Sequence, residues 1–231
     1  MKRFYEHVTV AERGGGFQLL LDERPIKTAM GKAQLVPSRA LAEAMRREWS
    51  EQPPIIDPAK FIFRDMADFA IDLIKPEPAP HIAKVLGFLE TDTLCYRAAP
   101  EDAFFQRQED IWEPLVIAFE RNENVRLERT SGIMHRPQAA STLNAVREHL
   151  QAFDPFTLAA FVNLTSLSAS LIIGMTALCH DADHKALWAA ANLEEDWQIE
   201  QWGADAEATA VRARRTAEFD NAMRFYHLLN E

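Results

Sequence analysis

Carboxylates set among large aromatics are the residues of this chain best placed to do chemistry. The stretch Glu194 to Gly203 reads Glu-Glu-Asp-Trp-Gln-Ile-Glu-Gln-Trp-Gly. On one helix, Trp188, Glu195, Ile199 and Trp202 are spaced seven, four and three apart and share a side, so Glu195 sits inside an apolar stripe. Glu194, Gln198 and Gln201 flank that stripe, while Leu193 and Trp197 face roughly the opposite way. An acid in such surroundings requires a basic partner, a proton or another protein. Arg212, Arg214 and Arg215 are near enough in sequence to supply an internal ion pair, which is the competing reading. Acid-base catalysis is less well served, because adjacent helical residues point apart and no second acid-base group falls at a matching spacing.

Other constellations are weaker. Cys179 beside His180 is the nearest approach to a nucleophile pair, yet both close an apolar helix where a small buried thiol is the simpler reading, and there is no GxSxG elbow. His180 and His184 have the spacing of zinc ligands, but the Asp-Ala-Asp between them crosses a helix break, and two solvated loop histidines fit as well. An all-α acid or metal enzyme around His180, His184 and Glu194 is therefore the alternative to a binding protein. Gly14-Gly15-Gly16 separates strands instead of opening a helix, so no phosphate cradle is expected, nor any cofactor or metal. Trp49, Trp112, Trp188, Trp197 and Trp202 are core residues or interface anchors, and Trp49 with the neighbouring sheet edge suits an adaptor role.

These residues need a frame. A chain of 231 residues, 48% apolar and 26% charged, is an ordinary soluble globular protein of one large or two modest domains. Its formal charge of −10 argues against nucleic acid, whose phosphates need clustered Lys and Arg, and suits a basic protein partner. Cys95 and Cys179 lie far apart without CxxC spacing, which fits a reducing cytoplasm. The opening Met1-Lys2-Arg3-Phe4-Tyr5-Glu6 has no leader character. Pro155 to Cys179 carries no charge, but Asn163, Thr165, Ser166, Ser168, Ser170 and Thr176 interrupt it. It reads as a helix buried in a bundle, without membrane insertion.

Alternation from Arg3 to Val10, the glycine turn, the apolar run Phe17 to Leu21, the turn Asp22-Glu23-Arg24-Pro25 and a short strand Ile26 to Met30 predict an antiparallel meander. Ser38 caps a covering helix with Leu41, Ala44, Met45 and Trp49, and Asp57-Pro58 opens a second from about Phe61 to Ile74. The proline-rich Lys75 to Pro80 divides a small α+β domain, residues 1–75, from an all-α helical-bundle domain, residues 76–231. The second domain is expected to hold helices over 80–90, 101–121 with a kink at Pro114, 137–153, 155–179, 187–202 and 207–229. Thr91 to Arg97 and 125–130 read as extended.

Taken together, the motifs resemble one family, the assembly chaperones of the ATP synthase F1 sector that hold the free alpha subunit, known in mitochondria as assembly factor 2. The pieces run from end to end: Arg3-Phe4-Tyr5, Leu21-Asp22-x-Arg24-Pro25-x-Lys27-Thr28, Val36-Pro37-Ser38, Glu48-Trp49-x-x-Gln52 and Ala70-Ile71-Asp72. They continue with Thr91-Asp92-Thr93-x-Cys95-Tyr96-Arg97, Gln108, Trp112-x-Pro114, Ser170-Leu171, Leu193-Glu194-Glu195, Gln198 and Trp202-Gly203. Phe61-Ile62-Phe63-Arg64 departs from the family's Met-Pro-Leu-Thr-like helix start. The resemblance implies a non-enzymatic chaperone, monomeric when free, that binds unassembled alpha subunit until beta replaces it. It places the functional acid in the Glu194-Glu195 pair, and with the interface-anchor reading of the aromatics the expected partner-binding set is Glu194, Glu195, Gln198, Trp202 and Trp49. It looks like a bacterial, cytoplasmic member.

Overall fold

A computed structural model describes residues 1–132 and 134–231. The chain forms two compact units, one of Met1–Pro78, Asp154–Ala160 and Arg224–Glu231, the other of Ala79–Phe153 and Phe161–Met223. The first unit is thus not one continuous stretch: its core takes Ala160 and Phe225 from far along the chain, packed with Leu19, Leu41, Met45 and Phe61.

In the first unit β1 (Val8–Arg13) and β2 (Gly16–Leu21) pair antiparallel, from Val8 opposite Leu21 to Arg13 opposite Gly16. Gly14 and Gly15 have φ of 58° and 78°, as a two-residue turn matched to strand twist requires. Asp22 and Glu23 make a second such turn into β3 (Arg24–Pro25) with φ of 47° and 71°. The Asp22 carboxylate accepts the N–H of His7 at 2.8 Å and of Glu6 at 3.1 Å, and these bonds, His7 foremost, hold its pKa below the usual carboxylate range.

The segment before β1 is not strand, because the Arg3 N–H bonds to the Pro54 carbonyl instead, at 2.9 Å. β4 (Leu35–Val36) pairs antiparallel with β2. The expected strand over Ile26–Met30 does not form. The N–H groups of Ala29 and Met30 turn to the carboxylates of Asp68 and Asp72, at 3.0 Å each, and Thr28 Oγ1 donates to Asp72 at 2.8 Å.

α1 (Arg39–Ser50) starts where Ser38 Oγ accepts the Leu41 N–H at 3.1 Å, and buries Leu41, Ala42, Ala44, Met45 and Trp49. Asp57 caps a separate 3-10 turn, Pro58–Lys60, and not the helix after it. α2 (Ile62–Phe69) is capped from α1, where the Glu48 carboxylate takes the N–H groups of Ile62, Phe63 and Arg64 at 2.7 to 3.0 Å. It runs on into a π-helical turn, Ala70–Ile74.

Beyond it come α3 (Pro78–Glu90), the two-residue β5 (Tyr96–Arg97), α4 (Ala103–Glu123), which runs through Pro114, and β6 (Thr130–Ser131), parallel to β5. Of the residues read as extended, only Tyr96, Arg97 and Thr130 enter strands, and Thr93–Cys95 coils into a 3-10 turn. α5 (Ala140–Gln151), α6 (Pro155–Ser168), α7 (Leu171–Ala177), α8 (His184–Ala191), α9 (Leu193–Trp202) and α10 (Ala206–Asn230) complete the chain. A small antiparallel sheet with helices followed by a mostly helical region is the expected class.

Two expected helices are divided. The 155–179 helix breaks at Ala169, with φ of 51°, because Ser170 leaves the helix to cap Ile173 and bond Asp92 at 2.7 Å. Burial pushes the Asp92 carboxyl up to about 6, against bonds from Ser170, Ile172 and Leu94. The 187–202 helix breaks at Asn192, whose Nδ2 donates to the Trp188 carbonyl at 2.7 Å. Among the described residues no helix is long and apolar enough to cross a membrane.

Candidate partner-binding surface

Only Leu193 of α9 is buried. The helix is held by its flanks. Trp197 stacks on Phe104 at 5.3 Å between ring centroids, and the Arg107 guanidinium lies 5.7 Å from the Trp197 centroid while donating to Glu200 at 2.6 and 2.9 Å. On the other flank Arg212 pairs with Asp196. Arg215 donates to the Leu167 carbonyl at 2.9 Å and covers the Trp188 ring at 5.5 Å. The following helix therefore does supply arginines, but to Asp196 and to a carbonyl, not to the two glutamates.

Glu194, Glu195 and Gln198 make no side-chain hydrogen bond or ion pair among the described residues. Glu195 acts on Arg212 through space alone, adding to the rise in guanidinium pKa that Asp196 causes through its hydrogen bond. Glu194 is an exposed residue whose carboxyl nonetheless lies against enough protein for desolvation to raise its pKa, with no donor to oppose that rise. Exposure lets a partner reach it, and lost hydration makes a partner's donor welcome.

Trp202 is 80% exposed, and Gly203, with φ of 87°, ends the helix beside it. Trp188 does not join it. The break at Asn192 leaves Trp188 buried, with its Nε1 donating to Thr216 Oγ1 at 2.8 Å and its ring 4.9 Å from Phe219, so the stripe drawn on a single helix is divided.

Trp49 lies in the first compact unit, 9% exposed, with Tyr5 and Phe61 at ring distances of 5.5 and 4.5 Å. Its carbonyl accepts the Tyr5 hydroxyl at 2.7 Å, and its own Nε1 has no acceptor among the described residues. His180 bonds the adjacent Asp181 on a fully exposed turn, and His184 opens α8. Cys179 is exposed, contrary to the buried thiol expected, because α7 ends two residues before it. Among the described residues no three His, Cys, Asp or Glu side chains converge as metal ligands.

Most of the remaining motif residues are engaged within the fold. Asp72 receives Thr28, Asp92 receives Ser170, Gln108 Oε1 accepts the Ala98 N–H at 2.7 Å, Arg97 donates to Glu113 at 2.9 Å, and Trp112 Nε1 donates to the Ala190 carbonyl at 2.9 Å. The positioning pair Arg107 and Glu200 is not legible in the sequence, since 93 residues separate its members and neither stands out by type.

The family model described as ATP12 chaperone protein matches residues 2–120. The chain belongs to the ATP12 chaperone family. The mitochondrial protein atp12 of Schizosaccharomyces pombe is 26% identical over 222 residues, 91% of this chain and 76% of that protein. The crystal structure of Atp12 from Paracoccus denitrificans is similar with a TM-score of 0.93 and 34% identity, covering 99% of this chain and 98% of that one. A solved protein of Agrobacterium tumefaciens follows at 0.92 and 36% identity, over 99% and 86% of the two chains. The family's work, chaperoning the assembly of F1-ATPase from its subunits, is the function of this member.

Proposed function

We propose that this ATP12-family chaperone holds the unassembled F1 alpha subunit on the face of α9 that bears Glu194, Glu195, Gln198 and Trp202, and yields it when beta arrives. The observation that carries this reading is the coincidence of two carboxylates that make no hydrogen bond or ion pair among the described residues and an indole 80% exposed on one short helix. A subunit awaiting its neighbour exposes apolar surface that invites wrong association. Trp202 supplies apolar area, while the glutamates, matched to a basic group on alpha, set register and reject other partners. The role is binding, not catalysis. The chaperone acts as a monomer in the bacterial cytoplasm.

Purified alpha subunit titrated with Glu194→Gln, Glu195→Gln and Trp202→Ser variants tests this. Each is expected to bind roughly tenfold more weakly, with the parent's circular dichroism. Affinity should also fall with added salt for the parent and less for the Gln variants. Parent-like binding by both Gln variants rules the surface out.

A further inference from the structure

The first compact unit holds two cavities whose own walls are rich in cations, beside a third that adds Glu6 and Glu23. Two cavities of about 480 and 540 Å³ share Tyr5 in their walls. Arg24 and Lys27 line one, Lys2 and Arg3 the other, against the single carboxylate of Asp22, which already accepts the N–H groups of Glu6 and His7. In a chain of formal charge −10 this is a local excess of positive charge. Phe4 stands 62% exposed at the first cavity and Ile55 68% exposed at the second.

Each cavity also has one wall residue with a buried N–H that reaches no acceptor: Trp49 Nε1 in the first and Gln52 Nε2 in the second, in residues 9% and 3% exposed. The orientation of the Gln52 amide is set, because its Oε1 accepts the Asp57 N–H at 2.8 Å, which leaves Nε2 as the unmatched end. A buried donor left unmatched costs about 1–3 kcal/mol, and folded chains retain few. Two such donors three residues apart, beside exposed apolar side chains and the cations Lys2, Arg24 and Lys27, describe a surface that wants acceptors, apolar bulk and negative charge together, while Arg3 is spent on the Tyr5, Ser50 and Gln52 carbonyls.

We infer that this face is a second client contact, receiving an extended segment of the alpha subunit that is apolar and acidic. An extended backbone leaves carbonyls free to accept from Trp49 Nε1 and Gln52 Nε2. An apolar side chain of the segment seats beside Phe4, and a carboxylate faces Arg24 and Lys27. The polarity is the reverse of α9, whose acids take a basic group, so the two contacts select segments of opposite charge. Two linked contacts also strengthen one another, while each alone stays weak enough to release. The inference rests on the alpha subunit being the client.

Fluorescence-anisotropy titration of labelled, purified alpha subunit with the full chain tests it. Trp49→Phe removes the donor and keeps an aromatic, though smaller, side chain; Arg24→Glu with Lys27→Glu reverses the rim. Both are expected to bind alpha about tenfold more weakly. Urea unfolding of each variant gives the folded fraction, and affinity is compared per folded molecule, since the smaller phenyl loses packing against Tyr5 and Phe61 whether or not Nε1 meets a client. Parent-like affinity in the rim variant overturns the inference whatever Trp49→Phe does, and leaves the α9 reading intact if Glu194→Gln still weakens binding. A parent chain that fails to hold alpha overturns both.

Discussion

Two pairs of carboxylates on helices, Asp68 with Asp72 and Glu194 with Glu195, have opposite fates. Asp68 accepts from the Ala29 N–H and the Gln34 amide, Asp72 from Thr28 and the Met30 N–H, and Lys32 lies 4.0 Å from Asp72. Burial still raises the pKa of Asp68 in spite of these donors. Glu194 and Glu195 receive no such donors, although Arg212 is close enough to be felt by Glu195 and pairs with Asp196. The first pair closes a loop of its own chain. The second presents lone pairs outward, so removal of the first kind of acid should cost folding and removal of the second should cost binding.

The sharpest break of that contrast is Asp92→Ala. It leaves the Ser170 hydroxyl and the N–H groups of Leu94 and Ile172 without their buried acceptor. Loss of roughly 3 kcal/mol or more in urea unfolding is expected, with unaltered alpha affinity per folded molecule. An equal loss of affinity would mean that engaged and unengaged acids do not divide the two tasks.

The pH dependence of the same residue sharpens the comparison. Its folded pKa of about 6 lies above the unfolded carboxylate range, so the folded state takes up the proton first. Stability attributable to Asp92 therefore rises as pH falls from about 7 to about 4, by up to roughly 3 kcal/mol, and the penalty is fully present above the folded pKa. Unfolding curves of the parent and Asp92→Asn, compared across that window, should converge or cross in this sense. A parent that instead loses stability toward pH 4 relative to Asp92→Asn would refute the assignment.

How far the sequence announces all this depends on the range of the contacts. The glycine turn at Gly14–Gly15 and the Ser38 cap are local devices, visible in a few residues. The break at Ser170 is not, because its cause, Asp92, lies 78 residues away and nothing near Ser170 requires the helix to end there. α2 takes its cap from Glu48, 14 to 16 residues upstream, while the obvious candidate Asp57 serves a different turn. The candidate site divides in the same way. Glu194, Glu195 and Trp202 were conspicuous from residue type and spacing, but which acid Arg212 would choose is a tertiary outcome, as is the burial of Trp188 and Trp49 against the exposure of Trp202.

The smallest expected effect is the most diagnostic. Glu194 has a raised pKa whose cause is desolvation alone, so in the free chaperone its charge is a liability that no internal donor repays. Its sign on stability follows: a carboxylate with a folded pKa above the unfolded value opposes folding at neutral pH and ceases to do so below its unfolded pKa. Glu194→Gln should accordingly unfold at a temperature equal to or slightly above the parent's at pH 7, with the difference shrinking toward pH 4, as read by calorimetry. Asp68→Asn and Asp72→Asn should show the reverse order, because the Asn amide turns a hydrogen-bond donor toward N–H groups that need acceptors. A clear fall in melting temperature for Glu194→Gln would reveal an internal partner and remove the ground for placing the client contact there. A neutral or stabilising change together with weakened hold on alpha is the signature of a residue kept for a partner and not for the fold.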